Sequence, residues 1–499
     1  MGRGVLRDDA DFIVVGTGAG GATAAHVLSR AGHSVLLVEE GPKLTASERP
    51  TELLRAMSIG VRDMGSQTTA GATPMPLLQG RLVGGSTAIN SGIIWRMPDD
   101  VRNDWQHGHG LGSLVGRGLD RAFESIEADL DVAVTSEQIR GGNADRMAKA
   151  SEILDLPGKP ITRNARNCQG RAHCLQGCPH EARQSMDVSY IPGAVRAGAR
   201  LHPNCRVERV STKDGRAVGV SGLTLDPDSR RRRGRFDFRA RRGVIVAAGV
   251  VHTPVILRKS GLQNRRVGQH FQAHPGCAVV GRFDDSIGMG QGATQGYEVP
   301  LRDRGFKLES ISLPPEMLAS RIPGVGAEWQ ARLGRLDQYA QWAAQIRMRA
   351  QGTVTVGFRG APVVRYEPLA EDLLRARAAA ALICRMMFAA GAIEVYPGLF
   401  GVDEALTDVA QVREIEERHL PREAFHFMAS HLFGTARAGV SSATSVVGPN
   451  LESHDVAHLY VMDASVFPTN LGVNPQHSIM AVVHQAAEQL AERALSRVA

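Results

Sequence analysis

A mixed α/β fold is predicted for this chain by three observations. Residues 11–15 (DFIVV) form a short apolar strand, followed at once by the turn Gly16-Thr-Gly18-Ala-Gly20-Gly21 and a helix of small residues from Ala22 to Ala31. A second strand, Ser34 to Val38, completes a βαβ unit and ends in an acid, Glu39. Farther on, runs at 207–210, 217–225 and 236–240 read as a strand meander. The buried strand Val244 to Ala248 then leads through Gly249 into a helix from Thr253 to Lys259. At 499 residues the chain exceeds one ordinary core, so two intertwined domains are expected.

The glycine turn has a physical logic. Gly16 makes the tight turn, Gly18 lets backbone approach a pyrophosphate, and Gly21 lets helix and strand pack closely. The helix start offers unpaired N–H groups to the same anion. Glu39, placed to bond the hydroxyls of an adenosine ribose, would repel a 2′-phosphate, so NADP is disfavoured. A second glycine-rich segment runs from Gly80 to Gly92 and carries Gly84, Gly85, Ser86, Asn90 and Ser91. It reads either as a long turn or as a second backbone cradle for phosphates or a flat ring system.

Apolar content of 43% and charged content of 22% are ordinary for a globular protein. The net charge of +7 has one dense run, Arg230 to Arg233, which reads as a solvated loop between two strands. No aromatic–basic motif accompanies it, so nucleic-acid binding is not expected. No apolar run approaches the roughly 20 residues of a membrane helix. The first ten residues carry no export signal, and a cytoplasmic location is expected. Residues 276–430 show little recognisable chemistry. They hold a Pro/Gly-punctuated stretch (Leu313 to Gly326) and an alanine-rich helix from Leu369 to Ala390, whose Met386, Met387 and Phe388 read as core. Oligomeric state leaves no signal.

Two groups of residues carry candidate chemistry. Near the C-terminus stand His431-Leu-Phe-Gly-Thr435, then Asp463-Ala464-Ser-Val-Phe-Pro468, then Asn474-Pro475 before an apolar helix. A titratable base in the same chain as a nucleotide fingerprint suggests a redox enzyme. The other group is Cys168-x5-Cys174-x3-Cys178. Without an export signal these thiols are not expected to form disulfides. They can serve a structural loop, or hold a metal or an iron–sulfur cluster. Cys205, Cys277 and Cys384 read as small buried hydrophobes.

The GTGAGG turn with Glu39, GGSTAINSG at 84–92, AAGVVHTPVILRKSG at 247–261, VGQHFQAHP at 267–275 and the stretch from His431 onward occur in one order. Together they resemble the glucose-methanol-choline (GMC) oxidoreductases, most nearly members oxidising long-chain or bulky alcohols. The resemblance implies a Rossmann-like FAD-binding domain built from discontinuous segments (1–98, 186–275 and 440–499). It also implies a substrate domain with an antiparallel sheet (99–185, including the cysteine loop, and 276–439).

In such a fold Gly16, Gly18, Ala19, Gly21 and Glu39 would hold the ADP half of FAD. Gly85, Ser86 and the backbone of Asn90, Ser91 and Gly92 would lie near the pyrophosphate and flavin. Val207 would hold the adenine through its backbone, and Asp463 and Ala464 would meet the ribityl–flavin region. Ile89 stands where some members carry a flavin-linked histidine, which implies non-covalent FAD.

His431 matches the family's catalytic histidine and Asn474 the partner position; His477, three residues on, reads as a helix-start packing residue. The implied reaction takes a small-molecule alcohol to its carbonyl, with hydride passing to flavin N5 and electrons to O₂ or another acceptor. Some multi-subunit members bind a 3Fe–4S cluster with the same cysteine spacing, whereas many relatives carry a plain cysteine-rich loop on the substrate side. Two alternatives stand beside that reaction: a lyase that keeps FAD without net redox chemistry, as the resemblance allows, and a flavoprotein electron-transfer subunit whose cysteine loop holds an iron–sulfur cluster and passes electrons to a partner.

Overall fold

A computed structural model describes residues 4–496. Its first sheet contains β1 (Val5–Val15), β2 (Val35–Val38), β3 (Arg200–His202), β4 (Cys205–Lys213), β5 (Arg216–Leu225) and β6 (Arg232–Val246), in the order β3-β2-β1-β6-β5-β4. Strands β1, β2, β3 and β6 run parallel, while β4 and β5 form an antiparallel extension. Helix α1 (Ala19–Arg30) joins β1 to β2, α2 spans Gly118–Asp129, and α3 (Gly249–Lys259) follows β6.

Strand β1 begins at Val5, well before the apolar run at 11–15, because its exposed first half pairs with Arg235–Ala240 of β6. A ladder made by backbone leaves no apolar signature when its side chains face water. Likewise, the expected strands 236–240 and 244–248 are one strand. The register with β1 shifts between Ala10 and Phe12, where Arg241 and Arg242 bulge and both approach Asp11. That polar bulge makes one strand read as two. Arg232 and Arg233 belong to β6 rather than to a loop, and Arg230 is half-buried, donating to the Ile59 carbonyl.

The second sheet is antiparallel: β7 (Gln272–Arg282), β8 (Tyr297–Leu301), β9 (Phe306–Ser310), β10 (Tyr339–Ile346), β11 (Glu394–Tyr396) and β12 (Met428–Phe433). The order is β11-β7-β10-β9-β8, ending on Lys159–Pro160, with β12 on the first half of β7. Strand β7 thus opens at Gln272, inside the segment 186–275 expected to belong with the first sheet. Helix α4 (Ala370–Ala389) covers this sheet with buried Ala376, Ala380, Ile383, Met386 and Met387. Cys277 and Cys384 are buried there, and burial pushes both thiols up, Cys277 to about 12. They act as small apolar residues.

The chain returns through β13 (Leu459–Val461), which pairs parallel with Val244–Val246 of β6, and ends in α5 (Gln476–Ser496) against α1 and α2. Just after β12, Gly434 and Ala436 donate backbone hydrogen bonds to the carbonyls of Ala464 and Ser465. The two sheets therefore meet where the C-terminal candidate residues lie. Among the described residues no helix is long and apolar enough to cross a membrane.

Candidate active site

The N-terminal turn is packed so tightly that three of its glycines admit no side chain. A Cβ on Gly16 (φ +95°) would stand 2.3 Å from the Ala247 carbonyl oxygen, and one on Gly21 would stand 2.0 Å from that of Gly16. Gly20, which the motif reading passed over, is tightest, at 1.9 Å from the Met462 oxygen. Gly18 differs: a Cβ there meets nothing within 4 Å. It caps α1, which starts at Ala19 without a side-chain cap, so open space lies against unpaired helix N–H groups. A pyrophosphate fits that space.

Glu39 accepts from the Thr17 amide (3.0 Å), the Thr17 hydroxyl (2.7 Å) and the Gly41 amide (2.9 Å). A carboxylate has about four acceptor sites, so one remains for a ribose hydroxyl. Burial pushes its pKa up, with these hydrogen bonds opposing. The Thr17 hydroxyl also accepts from the Gly84 amide (3.1 Å), and a Cβ on Gly85 would come 2.8 Å from Gly18 Cα, so the second glycine loop lies directly on the first.

In that second loop the Ser86 hydroxyl accepts from the Gly80 amide at 3.0 Å and keeps its proton for a phosphate. Asn90 is committed to protein: Oδ1 accepts from the Gly92 amide and Nδ2 donates to Gln476 Oε1. That leaves Gln476 Nε2 and the Ser91 hydroxyl buried without partners, donors suited to a heteroatom-rich ring. Asp463 accepts from the Ser465 and Gly249 amides and the Thr253 hydroxyl. Its side chain staples the 463–466 turn to the start of α3. Val207 sits where the β4 ladder shifts register before Arg209.

The candidate catalytic residues converge from three elements. His431 on β12 faces His274 on β7 across the ladder, with ring centroids 5.8 Å apart and perpendicular planes. His274 Nε2 accepts from the Gly472 amide at 2.9 Å, two residues before Asn474. His431 keeps partial exposure, and its imidazole is pushed down to about 3, by burial first and then by the Lys307 charge. It is therefore neutral near pH 7, the form that accepts a proton.

The Asn474 amide oxygen accepts from Lys307 Nζ. Lys307, fully buried on β9, also meets Glu298 Oε2 (2.7 Å) and Glu309 Oε1 (2.5 Å). Neither Lys307 nor His274 was singled out in the sequence. The available signal was charge inside two strand-patterned runs, YEVPL and FKLES, which place Glu298 opposite Glu309. His477 faces elsewhere, with its ring 4.6 Å from Phe123 and its imidazole pushed down to about 4 by burial.

Cys168, Cys174 and Cys178 line one cavity of about 20 Å³ together with Arg171, His173 and His180. That space is near the room one water needs. Among the described residues no three His, Cys, Asp or Glu side chains are grouped to hold a metal ion. Instead, buried Arg163 donates to Cys174 Sγ (3.2 Å) and to the Ser91 carbonyl (2.9 Å). Burial alone would raise the Cys174 thiol, but Arg163 and then Arg183 outweigh it and lower it. Arg183 donates to the carbonyls of Ala88, Asn90 and Cys174. The two arginines bind the cysteine loop to the underside of the second glycine loop.

A dinucleotide cradle set against a polar antiparallel sheet defines a two-domain enzyme with a nucleotide cofactor. The chain belongs to the GMC oxidoreductases: the family's N-terminal model matches residues 10–276 and its C-terminal model residues 349–482. The glycine cradle has room for the pyrophosphate of a dinucleotide cofactor at Gly18, with Glu39 keeping an acceptor site for a ribose hydroxyl. An uncharacterized GMC-type oxidoreductase of Mycobacterium tuberculosis is 36% identical over 489 residues, covering 96% of this chain and 75% of the relative. A long-chain-alcohol oxidase of Arabidopsis thaliana is 26% identical, covering 98% and 68%. In fold, the chain is similar to an Aspergillus oryzae formate oxidase, with a TM-score of 0.76 at 17% identity over 99% of this chain and 100% of that one.

Proposed function

We propose that this protein oxidises the CH–OH group of a small-molecule alcohol to a carbonyl, with His431 as base and Asn474 as its partner. The observation that carries the proposal is the convergence of a neutral His431 and a Lys307-held Asn474 where the two sheets meet. His431 takes the hydroxyl proton as the carbonyl forms. Asn474 donates its amide N–H to the oxygen, as a fixed dipole that is not reorganised during the reaction. Bound FAD supplies the hydride acceptor, at flavin N5.

Gly16, Gly18, Ala19, Gly21, Glu39, Gly85 and Ser86 hold its ADP and pyrophosphate, with Val207 at the adenine. The Asn90–Gly92 backbone and the amides of Asp463 and Ala464 approach the flavin. Ile89 offers no atom for a covalent link, so the flavin is held non-covalently. An alcohol substrate is supported by the alcohol oxidases among the relatives. The cysteine loop is structural in this proposal, its thiols serving as partners for Arg163.

The test is anaerobic bleaching of the flavin absorbance across an alcohol panel, followed by admission of air. His431→Ala should retain FAD and slow bleaching by roughly 10²–10⁴-fold. Near-normal bleaching would place the base elsewhere, and turnover without bleaching in the native enzyme would end the redox assignment. Iron analysis of anaerobically purified protein should find none; stoichiometric iron would overturn the structural assignment of the cysteine loop.

A further inference from the structure

We propose that Lys307 is a positioning residue of this reaction: its ammonium fixes the orientation of the Asn474 amide, so that Nδ2 is turned to the substrate oxygen. The inference rests on the proposed role of Asn474 and goes beyond it.

An ammonium has three N–H donors and no acceptor. Lys307 donates to Glu298 Oε2 and Asn474 Oδ1, and its ammonium forms an ion pair with Glu309 Oε1. An amide can be turned over with little change of shape, and its orientation follows from its partners. Facing a group that only donates, Asn474 must present its oxygen. The opposite orientation would set N–H against N–H in a buried site and lose a charge-assisted hydrogen bond. Nδ2 has no protein partner among the described residues and is free to donate.

Lys307 is itself held rigidly. Glu298 is fixed by the Trp95 indole N–H (3.0 Å), and Glu309 by the side-chain amides of Gln295 (2.7 Å) and Gln345 (2.6 Å). The Trp95 ring lies under the ammonium, 5.3 Å from Nζ to centroid. Burial alone would discharge the lysine, but the two carboxylates outweigh it and keep it charged. The substrate-side sheet thereby sets the geometry of a residue carried by the C-terminal segment. A purely structural ion cluster between β8 and β9 would need only the two glutamates and the lysine.

The experiment is a double-mutant cycle on the FAD-loaded enzyme, reading the limiting rate of anaerobic flavin reduction. The probe is the fastest-reducing alcohol among 1-octanol, benzyl alcohol and ethanolamine. Lys307→Met should slow that rate about tenfold or more, with the apparent Kd for the alcohol changed less than about threefold. Combined with Asn474→Ala it should cost no more than about twofold beyond Asn474→Ala alone. Losses that multiply, or a native rate in Lys307→Met, would overturn the proposal. A native rate in Asn474→Ala would instead overturn the assignment of Asn474, and with it this inference. Should Lys307→Met fail to fold, Lys307→Met/Glu309→Gln preserves the net charge of the cluster and carries the same comparison.

Discussion

Gly18 and Gly20 lie two residues apart in one turn and have opposite tolerances. A methyl on Gly20 would meet the Met462 carbonyl, whereas one on Gly18 would enter open space. Gly20→Ala should therefore cost about 1–3 kcal/mol or more in stability, through forced backbone movement. Gly18→Ala should fold normally and lose FAD, because its methyl occupies the pyrophosphate space. Unfolding midpoints and flavin content of the purified variants check the pair; an FAD-replete Gly18→Ala would remove the pyrophosphate from that turn. The G-x-G-x-x-G pattern was legible because backbone approach leaves glycine as the only solution. Gly20 was not, since its neighbour Met462 lies far along the chain and enters only through β13.

Asp463 shows how one carboxylate joins elements. It ties the turn after β13 to the first residues of α3, through Gly249 and Thr253, and also caps its own turn through Ser465. Asp463→Ala leaves three donors buried and should destabilise by roughly 3 kcal/mol or more, given about 1–3 kcal/mol per unsatisfied group. Asp463→Asn, which keeps an acceptor oxygen, should cost less. Equal urea midpoints for the two variants would show that acceptor geometry is not what matters. At this scale the sequence was readable in its βαβ unit, its meander and α4. It was misleading at β1 and β6, where Arg241 and Arg242 hide a continuous strand and polar residues hide a ladder.

Across the whole molecule, His252 and His431 (each pushed down to about 3), His477 (about 4) and His274 are held neutral, burial being the first cause in every case. A histidine whose folded pKa lies below its unfolded value near 6.5 binds more protons when unfolded. Its contribution is complete above pH 6.5 and is lost as pH falls toward the folded value, at roughly 1.4 kcal/mol per pH unit for each histidine. Glu39 and Asp463, whose carboxyls are pushed up by burial, act in the opposite sense. The histidines should dominate between pH 6.5 and about 5. The urea midpoint should fall across that window, and less steeply in His477→Leu, which should keep native flavin reduction. An unchanged slope would mean that His477 is not neutral in the folded protein, and lost activity would return it to the chemistry.

The sequence by itself determined the dinucleotide cradle, the order of the family blocks and the candidacy of His431 and Asn474. These are local patterns, in which a turn or a strand end demands particular residues at short spacing. Tertiary structure alone decided what surrounds them: His274 facing His431 from β7, Gln476 holding Asn90, and Arg163 engaging the cysteine loop. It alone placed Lys307 on Asn474, across 167 residues of chain. Buried charges are chosen by their partners, and partners so distant in sequence become visible only when two sheets bring them together.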